Sequence, residues 1–230
     1  MPLTGVTILF DVDGTLMDSY LGFERSVRHA LESLGMVMPD SVRPFLGPPL
    51  SESFRALGMT ESQGDEALRL YRERYWDIGY LENEIYAGIA ELLARLLEEG
   101  ATLGVATSKP QETATKILEH FGIAGHFGFI GGATFDGTRT HKHEVIEHTM
   151  AALGDPDPLR TLMIGDRLHD VLGARQFGID TIGVTWGYGG RQELTDAGAA
   201  FIVDDAAELH RAIRHAKSFS RRERREGVPD

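Results

Sequence analysis

From Ala87 onward short apolar runs alternate with amphipathic stretches, and this alternation restricts the chain to few folds. The spacing predicts helices over 89–99, 111–121, 142–153, 169–177 and 206–216. Strands are predicted between them, over 102–106, 127–130, 161–164, 181–184 and 200–203. Strands separated by helices pair in parallel through crossovers, so the expectation is an α/β fold: a Rossmann-like, doubly wound parallel sheet covered on both faces. The run Val6-Thr7-Ile8-Leu9-Phe10 reads as one more buried strand.

Between that strand and Ala87 the pattern is helix and loop only. Leu21, Val27, Ala30, Leu31 and Leu34 recur at helical spacing and stop at Gly35, a C-terminal cap residue type. Pro39, Pro44, Pro48 and Pro49 break the next stretch, and helices are expected over 51–57 and 61–80. The predicted organisation is a core domain formed by 1–17 and 87–217, an inserted all-helical cap domain over 18–86, and a disordered tail over 218–230. A cap of this kind is expected to act as a lid, hinged near 17–19 and 86–88, that gates substrate and product exchange.

Composition excludes several classes of function. The 230 residues carry 23 basic against 35 acidic side chains, and a net charge of −12 repels nucleic acid. The one basic cluster, Arg221-Arg222-Glu223-Arg224-Arg225, reads as a solvated end. No apolar run approaches the ~20 residues of a membrane span. With no cysteine there is no disulfide or thiolate chemistry, and with no basic segment followed by an apolar signal stretch the expectation is a cytoplasmic protein.

Chemistry is concentrated at the predicted strand ends, where ligands bind in open α/β sheets. Asp11-Val12-Asp13-Gly14-Thr15 follows the first strand, and residues two apart on a strand project to one side. Two close carboxylates suit Mg²⁺, which takes oxygen ligands and keeps several waters. One of them can attack phosphorus while the other serves as general acid and base. Gly14 lets backbone approach a phosphate. Thr107-Ser108-Lys109-Pro110 pairs hydroxyls with a helix start, an anion-binding arrangement. Lys142 opens a helix, where the dipole disfavours a cation, and neutralising a nucleophile and a phosphate would explain that cost; Arg139 is a rival for the role. His141 and His143 suit a metal less well than the carboxylates do. Gly165-Asp166 and Asp170, four residues on, bring two further carboxylates to one side, Asp166 the better placed to ligate a metal.

Taken in order, Asp11-x-Asp13-Gly-Thr, Thr107, Lys142 and Gly165-Asp166-x-x-x-Asp170 resemble the four motifs of the haloacid dehalogenase-like hydrolase superfamily. The insertion resembles the helical cap of its phosphoglycolate phosphatase-like branch, and Gly47-Pro48-Pro49-Leu50, Asp136-Gly137-Thr138-Arg139 and Gly187-Tyr188-Gly189 are similar to phrases in bacterial phosphoglycolate phosphatases and nucleotidases. The resemblance implies Asp11 as nucleophile forming an aspartyl phosphate and Asp13 as acid and base. It implies Thr107, the Ser108 backbone and Lys142 around the phosphate. It implies Mg²⁺ on Asp11, the Asp13 carbonyl and Asp166, with Asp170 positioning a metal-bound water. The family often has asparagine where this chain has Ser108, and a carboxylate at Asp13 argues against carbon–halogen cleavage.

The expected activity is therefore a Mg²⁺-dependent phosphatase of small phosphate esters, phosphoglycolate phosphatase-like. A 5'-nucleotidase and a sugar phosphomutase are the alternatives, with a non-catalytic regulator behind them. Arg43 and Phe45 in the cap are candidates for substrate specificity, Arg43 by pairing with a substrate carboxylate.

Overall fold

The computed structural model describes residues 2–46 and 50–226, the last ten of these by backbone alone. In chain order the elements are β1 Thr7–Phe10, β2 Met17–Asp18, α1 Tyr20–Ser33, α2 Leu50–Ala56, α3 Glu61–Asp77, β3 Glu84–Ile85, α4 Ile89–Glu98 and β4 Thr102–Pro110. They continue with α5 Gln111–His120, β5 Phe129–Ala133, α6 Lys142–Ala152, β6 Thr161–Gly165, α7 Leu168–Arg175, β7 Asp180–Val184, α8 Gly190–Ala197, β8 Phe201–Val203 and α9 Ala206–Glu226. The chain divides into two compact units, one formed by 1–17 and 85–230, the other by 18–84.

The first unit is built on a six-stranded sheet in the order β5-β4-β1-β6-β7-β8, all neighbours parallel. β1, β4 and β6 lie side by side at its centre, so the residues that follow them emerge at adjacent points of one edge. Leu9, Ala106 and Met163 from these strands pack with Val145, Ile146 and Met150 of α6 and Ala174 of α7 in one core cluster. Each fully buried side chain of that size contributes about 1.5–3 kcal/mol. Ile8 and Phe10, alternating with Leu9, are equally buried on the opposite face, which is why these strands read as continuous apolar runs. α4 buries Ile89, Leu92, Leu93 and Leu96, a single helical stripe.

Close approach fixes α6 on the sheet. Thr149 Oγ1 lies 3.1 Å from the Val105 carbonyl, and a Cβ on Gly131 would come within 2.0 Å of that hydroxyl. The helix bearing Lys142 is thereby seated over β4 and β5.

The second unit is held by its own cluster, in which Phe23, Val27, Ala30 and Leu31 of α1 meet Val42, Phe54, Met59 and Ala67. Thr60 caps α3, its side chain accepting from the Gln63 N–H while Gln63 returns to the Thr60 N–H.

Several elements differ from the sequence expectation. The stretch read as helix and loop contains β2 and β3, which pair with each other; two-residue strands carry no period to detect. α8 was not expected, because Leu194 is its only buried residue and one apolar anchor leaves no stripe. β4 runs on to Pro110 rather than stopping at Ala106, through a register shift between Thr107 and Pro110. α9 continues to Glu226, where a disordered tail was expected from 218; arginine and glutamate are strong helix formers whatever their charge. The last four residues of that tail lie outside the described residues, as does Gly47-Pro48-Pro49. No helix among the described residues is long and apolar enough to cross a membrane.

Candidate active site

The segments that follow β1, β4, β5, β6 and β7 converge at the carboxyl edge of the sheet. Asp11 extends β1, its N–H donating to the Ile164 carbonyl at 2.9 Å, and its side chain is buried. The chain then folds back on itself, with the N–H groups of Thr15, Leu16 and Met17 all reaching the Val12 carbonyl. Gly14 sits at φ +81° within this turn, and its N–H is taken by the Met17 carbonyl at 2.9 Å. A Cβ there would lie 2.2 Å from Asp166 Oδ2, so the space this glycine leaves is needed by Asp166.

Asp11, Asp166 and Asp170 form one buried cluster, each offering an oxygen within 4.8 Å of the others. Lys142 is the cation among them. Its Nζ lies 3.0 Å from Asp11, 2.7 Å from Asp170 and 3.0 Å from the Ala106 carbonyl, and its side chain is 5% exposed. Burial works against the ammonium, but Asp11 and Asp170 outweigh it and hold the lysine protonated well above its ordinary range. The carboxylates are the strained partners. Burial, then Asp170 and Asp11, push Asp166 well above the usual carboxylate range. Burial pushes Asp170 up to about 6 despite the adjacent lysine.

Asp166 accepts from the Tyr188 N–H at 2.7 Å and faces the Thr15 hydroxyl at 3.4 Å. Asp170 accepts from the Arg167 N–H at 3.0 Å. Among the described residues, Asp11 Oδ1, Asp13 Oδ1 and Asp170 Oδ1 are buried oxygens without an aligned hydrogen-bond donor. Three carboxylates face one lysine in a buried site, and all the side-chain donors are oxygens. That donor set fits a hard divalent cation.

Asp13 does not join the cluster. Its Oδ2 lies 2.9 Å from Lys109 Nζ, and the Lys109 side chain is only 8% exposed. Each aspartate of the first loop thus faces its own lysine. Thr107 is buried, with its hydroxyl accepting from the Lys109 N–H at 3.2 Å, while Ser108 is exposed. Arg139 is directed elsewhere: its Nε donates to the Gly132 carbonyl at 2.7 Å and its Nη2 to Gln111 at 3.0 Å. Lys142, not Arg139, is therefore the cation beside Asp11. His141 and His143 stack on each other, ring centroids 5.7 Å apart, and neither belongs to the acidic cluster.

The role of Lys109 and that of Trp186, beside the Gly187-Tyr188-Gly189 phrase after β7, escape sequence reasoning. Lys109 sits one residue past an expected phosphate-binding hydroxyl, and only its burial marks it out. In the second unit Arg43 lies over the Tyr20 ring, 4.6 Å from its centroid, and Phe45 packs on the unit's own core.

A parallel sheet with carboxylates, hydroxyls and lysines gathered at the ends of its three central strands is the arrangement of an α/β enzyme that handles phosphoryl groups. The chain belongs to the haloacid dehalogenase-like hydrolase family, whose model matches residues 8–184. It is 46% identical over 204 residues to the tyrosine-protein kinase PtkA of Mycobacterium tuberculosis, covering 88% of this chain and 69% of that one. It is 44% identical over 209 residues to a 5'-nucleotidase of Pseudomonas aeruginosa, covering 90% and 94%. The crystal structure of a predicted phosphatase from Clostridium acetobutylicum is similar at 40% identity and a TM-score of 0.83, over 91% of this chain and 98% of that one. Family and relatives together make the chain an enzyme of the phosphatase class.

Proposed function

We propose that the chain is a Mg²⁺-dependent phosphomonoester hydrolase of small metabolites that works through an aspartyl phosphate on Asp11. The observation that carries this reading is the buried cluster of Asp11, Asp166 and Asp170 around Lys142. In this reading Asp11, the Asp13 carbonyl and Asp166 would hold the ion, with Asp170 beside it to orient its water. When bound, Mg²⁺ supplies the positive charge that offsets the phosphoryl oxygens.

An Asp11 oxygen attacks phosphorus and the bond to the leaving oxygen breaks, Asp13 delivering a proton to that oxygen. Asp13 then takes a proton from a water that attacks phosphorus, and the Asp11–phosphorus bond breaks to free phosphate. Lys142 holds the Asp11 carboxylate in place, while Thr107 and Ser108 receive the phosphoryl oxygens; the Gly14 N–H, expected to face the phosphate, is occupied by the Met17 carbonyl.

The 44% identity to a 5'-nucleotidase puts nucleoside monophosphates beside phosphoglycolate as first substrates to try. A second reading has its own support in the 46% identity to a tyrosine-protein kinase: the phosphoryl group would pass to a tyrosine hydroxyl instead of water.

The deciding experiment is a panel of phosphate esters, including 5'-nucleotides, phosphoglycolate and hexose phosphates, assayed with Mg²⁺ and with EDTA. The expected result is Mg²⁺-dependent release of inorganic phosphate. Isomer formation without phosphate release identifies a mutase, phosphotyrosine on a protein acceptor identifies a kinase, and either outcome displaces the hydrolase reading.

A further inference from the structure

The loop after β7 touches both halves of the acidic site. The Trp186 indole N–H donates to the Thr15 carbonyl at 3.1 Å, in the turn that carries Asp13. Two residues on, the Tyr188 N–H donates to Asp166 Oδ2 at 2.7 Å. Between them a Cβ on Gly187 would come 2.3 Å from the Gly14 carbonyl and 2.4 Å from Asp166 Cβ, so the loop lies flat against both. The Tyr86 ring braces the indole at 6.3 Å between centroids, and the Tyr86 N–H donates to the Leu16 carbonyl at 3.1 Å, next to the carbonyl that Trp186 holds.

Asp11 is fixed by the sheet, and Asp170 by α7 and Lys142. Asp166 meets the 13–17 turn at the Thr15 hydroxyl, 3.4 Å away, and at Gly14, where the carboxylate fills the space a Cβ would take. The strap bonds to both sides of this contact and closes it from the third side. We infer that Trp186 is a positioning residue: its indole N–H fixes the first-loop turn against Asp166, and so sets the geometry in which Asp13 and Asp166 act on the same phosphate ester and the same divalent ion. This inference rests on the hydrolase reading above. Misplacement of catalytic groups by even about 1 Å costs up to a hundredfold in rate, so the loss of one hydrogen bond here is felt in turnover before it is felt in folding.

The test is Trp186→Phe, which keeps an aromatic ring against Tyr86 while removing the donor and one ring of the indole. Turnover of an aryl phosphate and Mg²⁺ affinity by calorimetry on substrate-free protein are measured beside the wild type. The expected result is a roughly tenfold fall in kcat with KM changed less than about twofold, a severalfold weaker Mg²⁺ affinity, and a melting temperature within about 4 °C of wild type. Unchanged kcat and Mg²⁺ affinity overturn the inference, whatever the melting temperature does. If Trp186→Phe does not fold, Tyr86→Leu, which loosens the indole without touching its donor, is read the same way. A wild type that neither binds Mg²⁺ nor releases phosphate is a failure of the hydrolase reading, seen before any variant is made.

Discussion

Lys109 and Asp13 form an ion pair, Nζ to Oδ2 at 2.9 Å, with the lysine side chain almost wholly buried and the aspartate about one-third exposed. The pair holds Asp13 outside the cluster of Asp11, Asp166 and Asp170, where burial already opposes the charge of the carboxylates present. Replacing the cation with an uncharged chain of similar length frees Asp13 to swing. Lys109→Met is expected to lower kcat about tenfold, by loss of the position of the proposed acid and base, while the fold survives. A steady-state assay on an aryl phosphate beside a thermal melt checks both parts.

Asp11→Asn removes the proposed nucleophile and leaves a residue of the same shape. Turnover is expected to fall at least about a thousandfold, as loss of a covalent nucleophile does. Asp13→Asn is expected to cost about two to four orders of magnitude. Trapping the wild type with a phosphate-mimicking beryllium fluoride and finding no adduct on Asp11 would contradict the assignment.

Asp166→Asn is expected to separate stability from function. Burial and two neighbouring carboxylates already oppose its charge, so a neutral amide relieves repulsion. Without metal the variant is expected to melt about 3 °C higher than wild type, near 1 kcal/mol for a chain of this size. It is expected to lose the stabilisation that millimolar Mg²⁺ gives the wild type. Melts with EDTA and with Mg²⁺, on both proteins, give the four values needed.

Asp166 and Asp170 bind protons more tightly folded than unfolded, Asp170 with a folded value of about 6 against an ordinary value near 4. The folded state then holds more protons across that interval, and stability falls as pH rises through it. Metal-free protein is therefore expected to lose stability from about pH 4 to beyond pH 6, the loss being complete above the folded values. Mg²⁺ should flatten the slope by offsetting the same charges. Urea unfolding at a series of pH values, with and without the ion, measures it.

Gly187→Ala places a methyl group 2.3 Å from the Gly14 carbonyl and 2.4 Å from Asp166 Cβ. Neither neighbour can yield without moving the site. A destabilisation of about 1–3 kcal/mol, typical of overpacking, is expected together with weaker Mg²⁺ binding. Calorimetry and denaturant titration read the two effects separately.

The alternation of unbroken apolar runs with period-3.6 stretches made the sheet legible, because β1, β4 and β6 are buried on both faces. Asp11, Lys142, Asp166 and Asp170 could be singled out because each follows such a run or opens the helix after it, and topology then brings them together. What stayed hidden depends on tertiary contact alone. Lys109 has no pattern around it, and its meaning comes from Asp13, nearly a hundred residues away. Trp186 and Tyr188 act through an indole N–H and a backbone N–H, on a loop with no periodicity. The choice between Arg139 and Lys142 turned on which side chain the Gly132 carbonyl and Gln111 would capture, a question of distances rather than of residue type.

The place of β1 between β4 and β6 has a cost during synthesis. Thr7 pairs with Thr102 on one side and with Thr161 on the other, so the first strand of this sheet to be translated waits for both of its neighbours. At about 5–20 residues per second the ribosome needs roughly 8–30 s to get from Phe10 to Gly165. Throughout that time Ile8, Leu9 and Phe10 have no finished sheet to enter, and they are a ready target for chaperones or for aggregation when expression is fast.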